Sequence, residues 1–175
     1  MKKAICLLLI FSVVILCGCE KTTEQAEVGG QIMGDFSAVD LDGKIIDESI
    51  LSGHKLTMVN IWATYCSPCI EEMPALAELN GSWGENFQVV GIVMDASDKN
   101  PAIKTKALEI IEETNATYMH LLPSSSLKAS ILADVTAVPT TYFVDENGNQ
   151  VGQVYIGAKT KTQWKKIISD LLEAM

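Results

Sequence analysis

Positive charge is in short supply in this 175-residue chain: 13 Lys and Arg stand against 22 Asp and Glu, for a net charge of −9. Such a surface repels phosphate backbones and carries no basic stripe, so nucleic acid is excluded as a partner class. Histidine is scarcer still. His54 and His120 lie far apart without paired spacing, whereas a closed zinc site needs four ligands, so no metal is expected. Each histidine reads instead as a hydrogen-bonded structural residue. The chain also lacks an apolar run long enough to span a bilayer: the longest covers residues 4–16, where a spanning helix needs about 20. Internal repeats are absent as well, and the length fits one domain with an ample core.

What is present begins at the N-terminus. Lys2 and Lys3 precede the apolar run, the pattern of a signal peptide with a positive n-region and a short h-region. The run ends in Leu16-Cys17-Gly18-Cys19, which resembles a bacterial lipobox. That resemblance implies removal of residues 1–18, lipid chains on Cys19, and a protein attached to a bacterial membrane outside the cytoplasm. The alternatives are an ordinary secretory signal cut nearby or an uncleaved anchor. Cys17 does not fit the lipid role, because Leu16 is too large to precede the cut. Of five cysteines, this processing leaves only Cys66 and Cys69 as thiols, and no isolated thiol is exposed to an oxidising space. Residues 19–33 are polar and small, without periodicity, and read as a tether of roughly 20 Å average span. The folded domain is expected over residues 34–175.

Within it, alternation around Asp42-Gly43 predicts an N-terminal β-hairpin over residues 35–46. Residues 55–62 and 87–94 are nearly continuous apolar runs, as buried parallel strands tend to be. Helices are expected from Cys66 to about Leu79 and over residues 103–113. Residues 118–122 suggest a short strand and 127–134 a short helix. Residues 140–144 and 151–156 flank Asn147-Gly148 as an antiparallel hairpin. The last helix opens at Thr160 with Gln163 three residues on, a capping box. Its stripe of Trp164, Ile167, Ile168, Leu171 and Leu172 reads as core. The order implies an α/β fold, a mixed central sheet with helices on both faces.

The chemistry lies in "WATYCSPCIEEMP", residues 62–74. A disulfide closing two residues is a weak staple for such a core. The pair instead follows a buried strand and opens a helix, where unpaired N–H groups and the macrodipole favour a thiolate at Cys66. Pro68 fits the first helical turn. Cys69, one turn on, is placed to resolve a mixed disulfide formed at Cys66. Pro74 is expected to bend the helix. Two other readings stand beside this one: a lipid-anchored binding protein with an inert disulfide, and a metallochaperone using the cysteines with methionines.

"VNIWATYCSPCIEEMP" together with "AVPTTYFVDENG" resembles the thioredoxin-fold proteins of the TlpA/ResA type, membrane-tethered thiol–disulfide oxidoreductases. The likeness runs from about Met33 to the C-terminus, with an insertion between the central strands and the final hairpin. It implies Cys66 as nucleophile, Cys69 as resolving cysteine and a cis peptide bond at Val138–Pro139. There the backbone of Val138 would be free to pair with an extended client segment. It also implies a proton-handling role for Glu72, where the neighbouring Glu71 reads as a solvated acid. Asn60 stands where thioredoxin itself has a buried aspartate. Trp62 and Tyr65 become candidate walls of the site, with Tyr65 in place of the family's common tryptophan. Gly34 replaces a common proline. Ala63, three residues before Cys66, departs from the threonine of peroxiredoxins. The implied activity is reduction of client protein disulfides, with cytochrome c maturation as one setting. A membrane thiol carrier would donate the electrons. Neither cofactor nor metal is required, and a monomer is expected.

Overall fold

Leu56–Trp62 is buried along its whole length in the computed structural model, which describes residues 28–175. This strand, β4, is the centre of a mixed sheet. It runs parallel to β5 (Phe87–Val93), which runs parallel to β6 (Met119–Leu121). On its other side β4 pairs antiparallel with β7 (Thr140–Val144). Beyond β7 lie β8 (Asn149–Val151) and, outermost, β1 (Val28–Gln31), both antiparallel to their neighbours. The short β9 (Tyr155–Ile156) pairs with the opposite end of β7.

The helix α1 (Ser67–Leu79) links β4 to β5, and α2 (Pro101–Glu113) links β5 to β6. Both helices pack into one core on the same face of the sheet, the arrangement expected of two right-handed crossovers stepping in one direction. The terminal helix α4 (Lys161–Ala174) joins them there, so that Met73, Leu76, Ala107, Ile110, Trp164 and Ile168 share one core with Leu56, Met58 and Trp62. The predicted capping box of Thr160 and Gln163 opens α4. Along its stripe Trp164 and Ile168 are buried, while Ile167, Leu171 and Leu172 are only partly so.

The other face is covered differently. A separate two-stranded sheet, β2 (Ser37–Val39) with β3 (Ile45–Asp47), brings Phe36, Ala38 and Ile46 over Val59, Ile61, Val90 and Ile92. Among the described residues the α-helix on this face is the short α3, Ser125–Lys128, which adds Leu127, and the turns after it add Ile131 and Leu132. It begins earlier than residue 127 because the Ser124 side chain accepts the Leu127 N–H. The segment between β5 and β7, holding α2, β6 and α3, is the expected insertion.

Two boundaries differ from the sequence reading. Residues 28–33 are not tether: β1 pairs with β8, and Met33 is fully buried. The Gly29-Gly30 pair interrupts the alternation that would have marked it. Residues 1–27, including the signal-like run and Cys19, lie outside the described residues. The expected strand over residues 151–156 is broken at Gly152, whose φ of 67° suits glycine. Among the described residues no helix is long and apolar enough to cross a membrane.

One glycine has a packing reason. Gly91 of β5 sits opposite His120 of β6, and a Cβ there would run into the imidazole. Gly91→Ala is therefore expected to lower stability by about 1–3 kcal/mol, read from the urea midpoint.

Candidate active site

The cysteine pair is delivered by the end of β4. A turn closed by Cys66 N–H donating to the Ala63 carbonyl (3.0 Å) carries the chain from strand to helix. Asp95, just after β5, fixes that turn by accepting from the Thr64 N–H (3.0 Å) and the Thr64 hydroxyl (2.6 Å). Cys66 is the N-cap of α1, with Pro68 in the first turn, and its sulfur accepts the Cys69 N–H at 3.3 Å. In the reduced protein that donor and the helix dipole both favour a thiolate on Cys66.

The two sulfurs form a disulfide across a Cα–Cα distance of 5.3 Å. Cys66 is 6% exposed and Cys69 0%, so a partner approaching from solvent meets Cys66 first. Tyr65 is 72% exposed beside it, and Ser67 and Pro68 are exposed as well. The Val138–Pro139 bond is cis. It precedes Thr140, which pairs with Ile61, so this segment reaches the same end of the sheet as the cysteine turn. Among the described residues the N–H and carbonyl of Val138 have no backbone partner, whereas the Pro139 carbonyl accepts the Gly157 N–H at 2.8 Å. α1 continues through Pro74, which has no N–H for the Ile70 carbonyl.

Glu72 is one turn beyond Cys69 and 4% exposed. Its Oε1 accepts from the Asn60 side-chain amide (3.1 Å). Its Oε2 accepts from the Lys159 backbone N–H and from the Trp164 indole N–H, each at 3.1 Å. Burial pushes the carboxyl above the ordinary glutamate range, and these three donors, with the nearby Lys159 charge, hold it back only in part. Its proton affinity is thereby moved toward neutrality, which suits a group exchanging protons with a thiol.

The structure corrects one site assignment. Trp62 is not a wall of the site: it is fully buried in the core, and its indole N–H donates to His120 Nδ1 at 3.1 Å. His120 Nε2 in turn bonds the Ala116 carbonyl (2.9 Å), which makes His120 the hydrogen-bonded structural residue expected. His54 departs from that expectation, because its buried Nδ1 has no partner among the described residues. Sequence reasoning passed over Trp164 and Lys159 as partners of Glu72. The signal for Trp164 was available: an indole in an apolar stripe needs an acceptor for its N–H.

A thioredoxin fold with a Cys-X-X-Cys pair capping the helix that follows its central strand defines the class: a thioredoxin-like thiol–disulfide oxidoreductase. A family model described as AhpC/TSA matches residues 29–151, and the chain belongs to that family. The match takes in most of β1, in line with a folded domain that starts before residue 34. Within the fold, Cys69 disulfide-bonded to Cys66 marks dithiol exchange as the chemistry here. The chain is 29% identical over 150 residues to "Thioredoxin-like protein YneN" of Bacillus subtilis, covering 83% of this chain and 84% of that one. It is 28% identical over 172 residues to "Thiol-disulfide oxidoreductase ResA" of Bacillus cereus, covering 93% and 94%. A solved thiol:disulfide interchange protein of the thioredoxin family from Chlorobium tepidum TLS superposes with a TM-score of 0.68 at 25% identity. That alignment covers 84% of this chain and 99% of the other.

Proposed function

We propose that the protein is a lipid-anchored, extracytoplasmic reductant of client protein disulfides. The observation that carries this reading is the asymmetry of the pair: Cys66 caps α1 and keeps 6% of its surface exposed beside Tyr65, Ser67 and Pro68, while Cys69 behind it is fully buried. The reduced Cys66 thiolate attacks a client disulfide, giving a mixed disulfide and one client thiolate. Cys69 gives its proton to Glu72 and attacks Cys66, releasing the second client thiolate and leaving the Cys66–Cys69 disulfide. Two electrons pass to the client; the second client thiolate takes the proton held by Glu72 and the first takes one from solvent. The unpaired backbone of Val138 beside Pro139 holds an extended client segment, and Tyr65 and Pro68 border it. A membrane thiol–disulfide carrier restores the dithiol. Net reduction, and cytochrome c awaiting haem attachment as a client, follow from the TlpA/ResA likeness; anchoring follows from the lipobox-like Leu16–Cys19. The protein works as a monomer.

The test is Cys69→Ser in the full chain, expressed in cells. Client proteins are expected to accumulate as reducible adducts on Cys66, visible on non-reducing gels. No adduct, together with an alkylation rate of Cys66 no faster than that of a free thiol, would sink the exchange role. Alkylation trapping of the unaltered protein reads direction: a mainly dithiol steady state fits a reductant, and a mainly disulfide one reverses the flow.

A further inference from the structure

We propose that Asn60 is a positioning residue for Glu72, its buried side-chain amide turning over when the carboxyl takes up a proton. The inference rests on the proton-handling reading of Glu72 and adds the group that makes it reversible.

The register sets Thr141, Asn60, Gly91 and His120 side by side across β7, β4, β5 and β6. Asn60 is fully buried in that row. Its amide nitrogen donates to Glu72 Oε1 and to Thr141 Oγ1, each at 3.1 Å, and its Oδ1 has no partner among the described residues. Glu72 is thus surrounded by donors alone: Asn60, the Lys159 N–H and the Trp164 indole. That shell suits a carboxylate. A carboxylic acid there has an O–H and no acceptor to receive it.

The unpaired Oδ1 is the missing acceptor, on the wrong side of the same amide. The terminal torsion of asparagine is broad and two-fold, and its oxygen and nitrogen differ little in size. A half-turn brings Oδ1 to Glu72 and Thr141, where it accepts from the new carboxylic O–H and from the Thr141 hydroxyl, itself free to rotate. Each state of Glu72 then has a matching orientation of Asn60, and no backbone has to move. The other charged or titratable groups facing Glu72 are Lys159 and Tyr118. The Lys159 ammonium sits 5.4 and 5.6 Å from the Tyr155 and Trp164 ring centres. The Tyr118 phenol is buried and feels the Glu72 charge. Asn60 and Thr141 are neutral; the Tyr118 hydroxyl is also unpartnered, but only Asn60 carries its idle acceptor on the amide that already bonds Glu72.

In the resolving step Cys69 passes its proton to Glu72 Oε1 as its sulfur attacks Cys66. The bond from Cys66 to the client breaks, and the client sulfur leaves with the electron pair. Asn60 in its turned state holds the Glu72 proton until the leaving thiolate or solvent takes it.

The test uses the reduced, unaltered protein. Across a pH titration followed by NMR, cross-peaks between the Asn60 side-chain amide protons and Thr141 are expected above the midpoint of the Glu72 carboxyl carbon. They are expected to vanish below it. Their persistence on both sides overturns the proposal. A folded Asn60→Leu protein is expected to resolve a preformed mixed disulfide about tenfold or more slowly, with a displaced pH limb; an unchanged limb also overturns it. Glu72→Gln separates the two readings. If it resolves normally at every pH, the role of Glu72 falls and this inference with it. If it loses the pH limb while the Asn60 cross-peaks persist on both sides, only the inference falls.

Discussion

Cys66→Ser is expected to abolish turnover of a disulfide substrate, while Cys69→Ser keeps one fast attack and stops. A serine hydroxyl is almost wholly protonated near neutral pH and is a weak nucleophile without a base, so the helix N-terminus that supports a thiolate has nothing to act on. Cys69 cannot substitute, because it is fully buried behind Cys66. With Cys69→Ser the entry thiol is intact and still receives the backbone N–H of residue 69, which belongs to the helix rather than to the replaced side chain. One equivalent of substrate thiol is then released as a burst and the reaction halts at the mixed disulfide. Stopped-flow release of a chromogenic thiol checks both proteins. Steady turnover by Cys66→Ser would reverse the assignment of attacker and resolver.

Much of this arrangement is legible in the residues. β4 and β5 are apolar almost throughout because both are covered on both faces, and Thr160 with Gln163 marks the start of α4 by local hydrogen bonding alone. The cysteine pair identifies itself by standing between a buried strand and a helix. The misses share a cause, which is pairing across long stretches of chain. β1 is held by β8, more than a hundred residues away, and its own Gly29-Gly30 carries no pattern. The partners of Glu72 come from β4, the β9–α4 connection and α4, and nothing local announces them. Trp62 is a different case. Leu56, Met58, Asn60 and Trp62 alternate onto one face of β4, so strand periodicity already placed Trp62 in the core beneath α1. Its position next to the motif suggested a surface role that its phase excluded.

That burial makes the protein sensitive to acid through His120. The imidazole is 5% exposed, accepts the Trp62 indole N–H at Nδ1, and has Nε2 against the Ala116 carbonyl. Burial pulls its pKa from 6.5 down to about 4, against the pull of the Ala116 carbonyl. Protonating Nδ1 would also set two N–H groups against each other. Because the unfolded chain takes up this proton first, the stability present above pH 6.5 is lost as pH falls toward 4. The loss amounts to about 3 kcal/mol. Glu72 acts in the opposite sense: its folded pKa is raised, so its contribution is fully present at low pH and lost as pH rises through that value. Urea unfolding between about pH 4 and 7 is expected to show a fall toward acid in the unaltered protein. His120→Gln can still accept from Trp62 and donate to Ala116, and it is expected to lose that His120-linked slope while keeping the Glu72 trend. A slope toward acid that survives His120→Gln unchanged would assign the loss to another group.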